Sequence, residues 1–210
     1  MTDTHWPVLP AETLAALNLH PGGIYVDGTF GRGGHAAVIL EHLGPHGRLL
    51  ALDRDPDAAR WAAQQFGGDP RFTFVQTPFR RLAKVLEAQG WIGRVNGILL
   101  DLGVSSPQVD DAERGFSFRQ NGPLDMRMDP QAGISAADWL HRVSEAELDR
   151  VLREYGEERF HRRVARTIVA ARQRTPLTTT GQLAALVAAA VPGHEPGRHP
   201  ATRVFQAIRI

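Results

Sequence analysis

The chain has no cysteine, which excludes disulfides and thiolate metal sites. No stretch reaches eighteen consecutive apolar residues, so a membrane-spanning helix is not expected. The opening residues, Met1 to Pro7, hold no basic stretch followed by an apolar core, so no secretory leader is expected there. These absences together predict a cytoplasmic protein. Lysine is almost missing: Lys84 stands alone, and nearly every cation is arginine. Arginine suits phosphate and base contacts, though a chain rich in Ala and Arg also follows from a GC-rich genome. The net charge of +1 names no partner. Its distribution says more, with 12 basic and 15 acidic residues from Met1 to Ser135, then 12 basic and 8 acidic from Ala136 to Ile210. The 210 residues allow one α/β domain and an additional piece.

The most informative stretch is Ile24-Tyr-Val-Asp-Gly-Thr-Phe-Gly-Arg-Gly-Gly-His35. It reads as a buried strand, an acid, a glycine-rich turn and a helix start. Glycine tolerates positive φ and carries no Cβ, so a ligand can approach the backbone closely. A second acid, Asp53, ends the next apolar run from Arg48. Strand, glycine turn, helix, strand and acid form the pattern by which open α/β sheets bind nucleoside cofactors. The turn has two readings. Gly31-Arg-Gly-Gly-His-Ala36 fits the dinucleotide fingerprint G-x-G-x-x-G/A, with Asp53 as the ribose acid. Against this, Asp27-Gly-Thr-Phe30 separates strand and glycines, and a carboxylate there would repel a pyrophosphate. It suits a cationic ligand without phosphate, such as S-adenosylmethionine. Asp27 as a plain turn residue is the bland alternative.

Strands are expected at about 24–27, 48–53, 72–76 and 97–102, alternating with helices at 34–43, 55–66 and 79–88. A short helix at 10–19 precedes them. The pattern predicts a doubly wound α/β sheet. From 103 to about 133 no period is visible, yet Phe116, Phe118, Leu124, Met126 and Met128 anchor the stretch, so an ordered lid is expected there. Helices are then predicted near 136–140, 144–155, 157–174 and 179–191, with Ser144-Glu-Ala-Glu147 and Thr179 with Gln182 as capping boxes. No strand is expected in this region.

Three acids end strands: Asp27, Asp53 and Asp101. Ligands of open α/β sheets bind at those ends. Asp53 suits the two ribose hydroxyls, with Asp55 as a rival that more plausibly caps the next helix. Asp101 lies where a methyl acceptor would approach. Arg159 to Arg174 holds arginines 159, 162, 163, 166, 172 and 174 and no acid. With Phe160, Val164, Ile168 and Ala171 on the opposite face, this helix would present a basic ridge to RNA. A solvated face pairing with Glu154, Glu157 and Glu158 is the alternative.

Seven motifs carry a resemblance: Asp27 to His35, Leu50 to Pro56, Asp101 to Gln108, Asp111 to Phe118, Gly122 to Asp129, Tyr155 to Phe160 and His199 to Arg209. In this order they resemble the bacterial small-subunit rRNA cytosine-N4 methyltransferase family, formerly called MraW, over essentially the whole chain. The resemblance implies a class I, Rossmann-like methyltransferase sheet with an inserted helical domain. It implies methyl transfer from S-adenosylmethionine to the N4 amine of a cytidine in the decoding region of 16S rRNA, with 16S rRNA or the small ribosomal subunit as partner and no metal. Carried onto matching positions, the cofactor contacts are Gly33, Gly34, His35, Asp53, Phe79, Asp101 and Gln108. Phe79 would wall the adenine, unless it is a core residue of its helix. Asp101 is the catalytic candidate. The Asp-Leu-Gly-Val sequence there lacks the prolines and aromatic found in other base N-methyltransferases, so Phe116 and Phe118 become the candidates for stacking a base, or else they pin the lid. Arg159, Arg162, Arg163 and Arg166 are the candidates for RNA phosphates.

The expected organisation is an α/β domain over 1–104, rejoined from about 198 to 210, a lid over 105–133 and a helical insert over 134–197. Members of that family continue past the final motif, so the sheet is expected to be incomplete and the activity of the chain by itself weak. Two other classes stay open at this point, a nicotinamide-dependent oxidoreductase and a noncatalytic RNA-binding protein with a degenerate cofactor site.

Overall fold

The structure, a computed structural model, describes residues 7–193, 197 and 199–209. The chain divides into two units, Met1–Ser105 and Ser106–Ile210.

The first unit is α/β. Four parallel strands, β1 (Ile24–Asp27), β2 (Arg48–Asp53), β3 (Phe72–Gln76) and β4 (Gly97–Leu99), lie in the order β3-β2-β1-β4. Val26 of β1 pairs with Leu50 on one side and Ile98 on the other. Side chains alternate between the faces of a strand, and both faces of this sheet are covered. Tyr25, Leu49 and Ala51 join Ile39 and Leu40 of α2 (Gly34–His42) and Ala58 and Ala62 of α3 (Pro56–Phe66) in one core. Val26, Leu50 and Leu52 join Leu86 of α4 (Leu82–Ala88) in the other. Burial on both faces is why these strands read as continuous apolar runs. The short α1 (Pro10–Leu17) packs beside β4, where Leu17 lies against Gly97. Two details differ from the sequence reading. A 3₁₀ turn at Phe79–Arg81 precedes α4, and β4 ends at Leu99 although the apolar run continues to Leu102. Beyond it Leu100 and Leu102 are exposed, as is Ile98 within it.

The second unit is helical: α5 (Ser106–Asp110), α6 (Ala136–Arg142), α7 (Glu145–Glu154), α8 (His161–Arg172), α9 (Thr180–Ala190) and α10 (Thr202–Arg209). Leu148 and Leu152 of α7, Val164 and Ile168 of α8, Leu183 and Val187 of α9 and Phe205 of α10 are buried. Helix starts follow the expected caps. Ser135 and Ser144 accept from the Asp138 and Glu147 main-chain N–H groups, and Thr179 with Gln182 forms a full capping box. The Glu147 carboxylate is held instead by Arg150.

The segment expected as a separate lid is built into this unit. Leu124 N–H donates to the Thr178 carbonyl at 2.9 Å, Ala136 N–H to the Asp125 carbonyl at 2.7 Å, and Pro123 bridges Thr179. Residues 202–209, expected to rejoin the α/β domain, form α10 and pack on α7 of the second unit. Gly156 makes this possible, since a Cβ there would come within 2.7 Å of the Arg203 carbonyl oxygen.

Candidate functional site

The glycine turn links three strand ends through its own main chain. Gly28 N–H donates to the Leu99 carbonyl and Phe30 N–H to the Leu52 carbonyl. Thr29 N–H donates to Asp27 Oδ1 at 3.1 Å, Gly31 N–H to Asp53 Oδ2 at 2.8 Å, and Gly33 N–H to the Phe30 carbonyl at 2.8 Å. The Thr29 hydroxyl in turn accepts from the Asp101 N–H at 2.7 Å. Gly33 has φ +76°, and a Cβ on it would meet the rings of Phe66 and Phe30 at 2.6 and 2.8 Å. Below the turn, Phe30 is buried among Phe66, Phe72 and Phe74 with ring centroids 5.3 to 5.7 Å away.

These bonds separate the two readings of the turn. A pyrophosphate cradle needs free N–H groups pointing at the ligand. Here the N–H groups of Gly28, Thr29, Phe30, Gly31 and Gly33 are all engaged internally. The side chains at these strand ends, Asp27, Asp53 and Asp101, are instead carboxylates, which accept hydrogen bonds. Acids at that end favour a cationic ligand over a pyrophosphate.

Asp53 Oδ1 also accepts from Asp55 N–H at 3.0 Å. Burial, the largest influence, raises its carboxyl above the usual range, and the hydrogen bonds from Asp55 and Gly31 oppose this. Asp55, the rival ribose acid, accepts from Asp57 N–H at 2.9 Å as the N-cap of α3. Asp27 is 1% exposed. Asp101 is exposed, with its Oδ2 4.0 Å from His35 Nε2. Burial pushes the His35 imidazole down, with the Asp101 charge acting the other way. Phe79 is 44% exposed, and its Cβ lies 3.4 Å from where a Gly28 Cβ would stand. A side chain so exposed is not a core residue of its helix. The structure therefore brings Gly33, Gly34, His35, Asp53, Phe79 and Asp101 to one end of the sheet, with Asp27 among them. Gln108 lies buried in α5 of the second unit.

Contacts invisible in the sequence also shape this end of the sheet. Phe30 anchors the turn, and the Arg32 guanidinium lies over the Trp61 ring at 5.2 Å. An aromatic inside a glycine turn was the available signal for Phe30.

In the second unit one of the two aromatic candidates, Phe116, is corrected. Phe116 is 1% exposed, which leaves no ring face for a base. Phe118 packs on Phe205 at 4.9 Å and on His199 at 4.6 Å. Phe118, half-buried, thereby packs its segment on α10. The arginines in and just before α8 divide. Arg172 donates to the carbonyls of Leu140 and Val143 and is structural. Arg159, Arg162, Arg163 and Arg166 are exposed on the side opposite Val164, Ala165 and Ile168. Among the described residues Arg162 and Arg163 have no ion-pair partner, and Arg166 has only Glu145 at 3.8 Å. Of the acids expected to neutralise this face, Glu154 pairs with Arg150 and Arg153 and Glu158 is buried and accepts from Phe160 N–H, while Glu157 is exposed. Among the described residues no helix is long and apolar enough to cross a membrane, and no group of His, Asp and Glu could hold a metal ion.

A sequence model of the MraW methylase family matches residues 2–210. Ribosomal RNA small subunit methyltransferase H of Thiobacillus denitrificans is 61% identical over 210 residues, covering 100% of this chain and 67% of that protein. The protein of the same name from Thioalkalivibrio sulfidiphilus is 61% identical over 206 residues, covering 98% and 66%. That from Coxiella burnetii is 53% identical over 208 residues, covering 99% and 68%. The chain thus spans about two thirds of the length of the curated relatives it matches.

Proposed function

The chain belongs to the MraW methylase family, and from that premise we propose that it carries the cofactor site of an enzyme transferring a methyl group from S-adenosylmethionine to the N4 amine of a cytidine in 16S rRNA. The observation that carries this reading is the set of acids Asp27, Asp53 and Asp101 around a turn whose N–H groups are already engaged. The names of the relatives supply the rRNA substrate.

When bound, S-adenosylmethionine supplies an electrophilic methyl group. Each Asp53 oxygen accepts one main-chain N–H and keeps a lone pair for a ribose hydroxyl. Phe79 offers its exposed ring to the adenine. A cytosine N4 amine is conjugated with its ring and is a poor nucleophile. Asp101, exposed and held by the Thr29 hydroxyl through its main chain, accepts one N4 proton in a hydrogen bond and orients the nitrogen toward the methyl. The ridge of Arg159, Arg162, Arg163 and Arg166 engages rRNA phosphates.

The test uses S-adenosylmethionine labelled in its methyl group, with 16S rRNA and assembled small subunits as separate substrates. The chain and a version extended to the relatives' length are compared, and the RNA is digested to nucleosides. Label in N4-methylcytidine is the expected result. Label on another base, or on none with the extended protein, rejects the reading.

A further inference from the structure

The arginines of the α/β unit are used differently at the two ends of its sheet. Two at the N-terminal ends of strands are structural. Arg48 donates to the carbonyls of Pro45 and Gly47. Arg71 pairs with Asp69 and donates to the carbonyls of Leu40 and Leu43. Four others follow the C-terminal ends, where Asp53 and Asp101 lie. Arg32 stands in the glycine turn, between Gly31, whose N–H is held by Asp53, and Gly33. Arg54 comes directly after Asp53 at the end of β2. Arg80 and Arg81 share the 3₁₀ turn with Phe79, whose Cβ lies close to Gly28.

Arg54, Arg80 and Arg81 are exposed, and among the described residues none of the four has a side-chain hydrogen bond or ion pair. The Arg32 guanidinium is held by its face over the Trp61 ring, which leaves its N–H edges to bond elsewhere. A strand of RNA carries a negative charge on each phosphate, and Asp53 and Asp101 at the centre of this end repel it. Cations around those acids offset the repulsion and steer a polyanion to this end of the sheet. Guanidinium forks also match phosphate oxygens two at a time.

We propose that Arg32, Arg54, Arg80 and Arg81 form an RNA-phosphate surface on the α/β unit, additional to the α8 ridge, that holds the strand on either side of the methyl acceptor. This rests on the rRNA reading above and deepens it. The surface grips the backbone and reads no base, so it serves affinity and not sequence choice.

The test is binding of a single-stranded oligoribonucleotide of decoding-region sequence to the full chain, followed by fluorescence anisotropy from about 50 to 200 mM salt. Arg54→Gln, Arg80→Gln and Arg81→Gln together should weaken binding at least about tenfold and flatten the salt slope by about 2, since each phosphate contact on a single strand contributes about 0.7. Arg94→Gln is the control, because Arg94 is exposed and precedes β4 at the opposite end of the sheet. It should leave the slope unchanged. Melting curves establish that each variant is folded. If the triple variant is not, the three single variants decide, each expected to flatten the slope by about 0.7. A loss with Arg94→Gln equal to one third of the triple variant's would assign the effect to net charge and overturn the proposal. Weaker binding to assembled small subunits, with naked RNA unaffected, would assign the surface to a protein of the particle and overturn it as well. An unchanged slope in the folded variants, while the unaltered extended protein labels N4-methylcytidine, rejects the proposal alone. No RNA binding by the unaltered chain or its extended version rejects the rRNA reading and the proposal with it.

Discussion

At Asp53 one side chain both builds the turn and leaves room for a ligand. Its two oxygens hold the N–H groups of Gly31 and Asp55. Asp53→Ala should therefore weaken S-adenosylmethionine binding by about 1.5–3 kcal/mol, the scale of hydrogen bonds to a charged group. Unchanged affinity in calorimetry would remove Asp53 from the site. Asp101→Ala in the extended protein should lower turnover and leave RNA affinity near normal, and near-normal turnover at saturating substrate would exclude it as the acceptor's partner. Asp27 also makes a statement about stability. Its carboxyl moves from 3.8 to about 7 on folding. Between those values the folded chain binds a proton that the unfolded chain lacks, so this group makes stability fall as pH rises through that window and level off above 7. Asp27→Asn removes the penalty. Its Tm should gain on the unaltered chain at pH 8 and gain little at pH 5, and a gain independent of pH would contradict the assignment. The acids were legible because each ends an apolar run beside a turn signal. Phe30 on Phe72 and Arg32 on Trp61 were not, because those contacts join residues far apart in sequence that share no period.

Among the elements, the first three strands are where their apolar runs place them, since strands buried on both faces leave an unbroken hydrophobic signature. α5 has only five residues, too few to display a helical period, and so the segment around it read as structureless. α8 begins at His161 and not at 157. Glu157 takes φ +50° and interrupts the helix, a backbone event with no compositional mark. The helix that remains carries Arg162, Arg163 and Arg166 in its first half, where Arg162 and Arg163 stand unpaired among the described residues. Reversing the charge of Arg162, Arg163 and Arg166 together should weaken RNA binding and flatten its dependence on salt, because each phosphate contact releases counterions. Cofactor affinity should not change. A salt slope equal to that of the unaltered chain would make this face a solvated one.

For the whole molecule, β4 presents an exposed apolar margin through Ile98, Leu100 and Leu102, at 49%, 43% and 67% exposure. Uncovered edges of this kind pair with other chains. Ile98→Lys with Leu100→Lys should reduce self-association of this chain in light scattering, and unchanged association would place the contact elsewhere. The chain passes between its two units once, at Ser105 and Ser106, where the sequence reading expected two passages around an insert. Every strand pairing, from β3 to β4, is closed by residues that precede that point. During synthesis the register of these four strands thus needs nothing from the second unit. A growing chain can bury its apolar strands while the helical unit is still being made, and the interval in which Leu49 to Leu52 could meet a neighbouring nascent chain is correspondingly short.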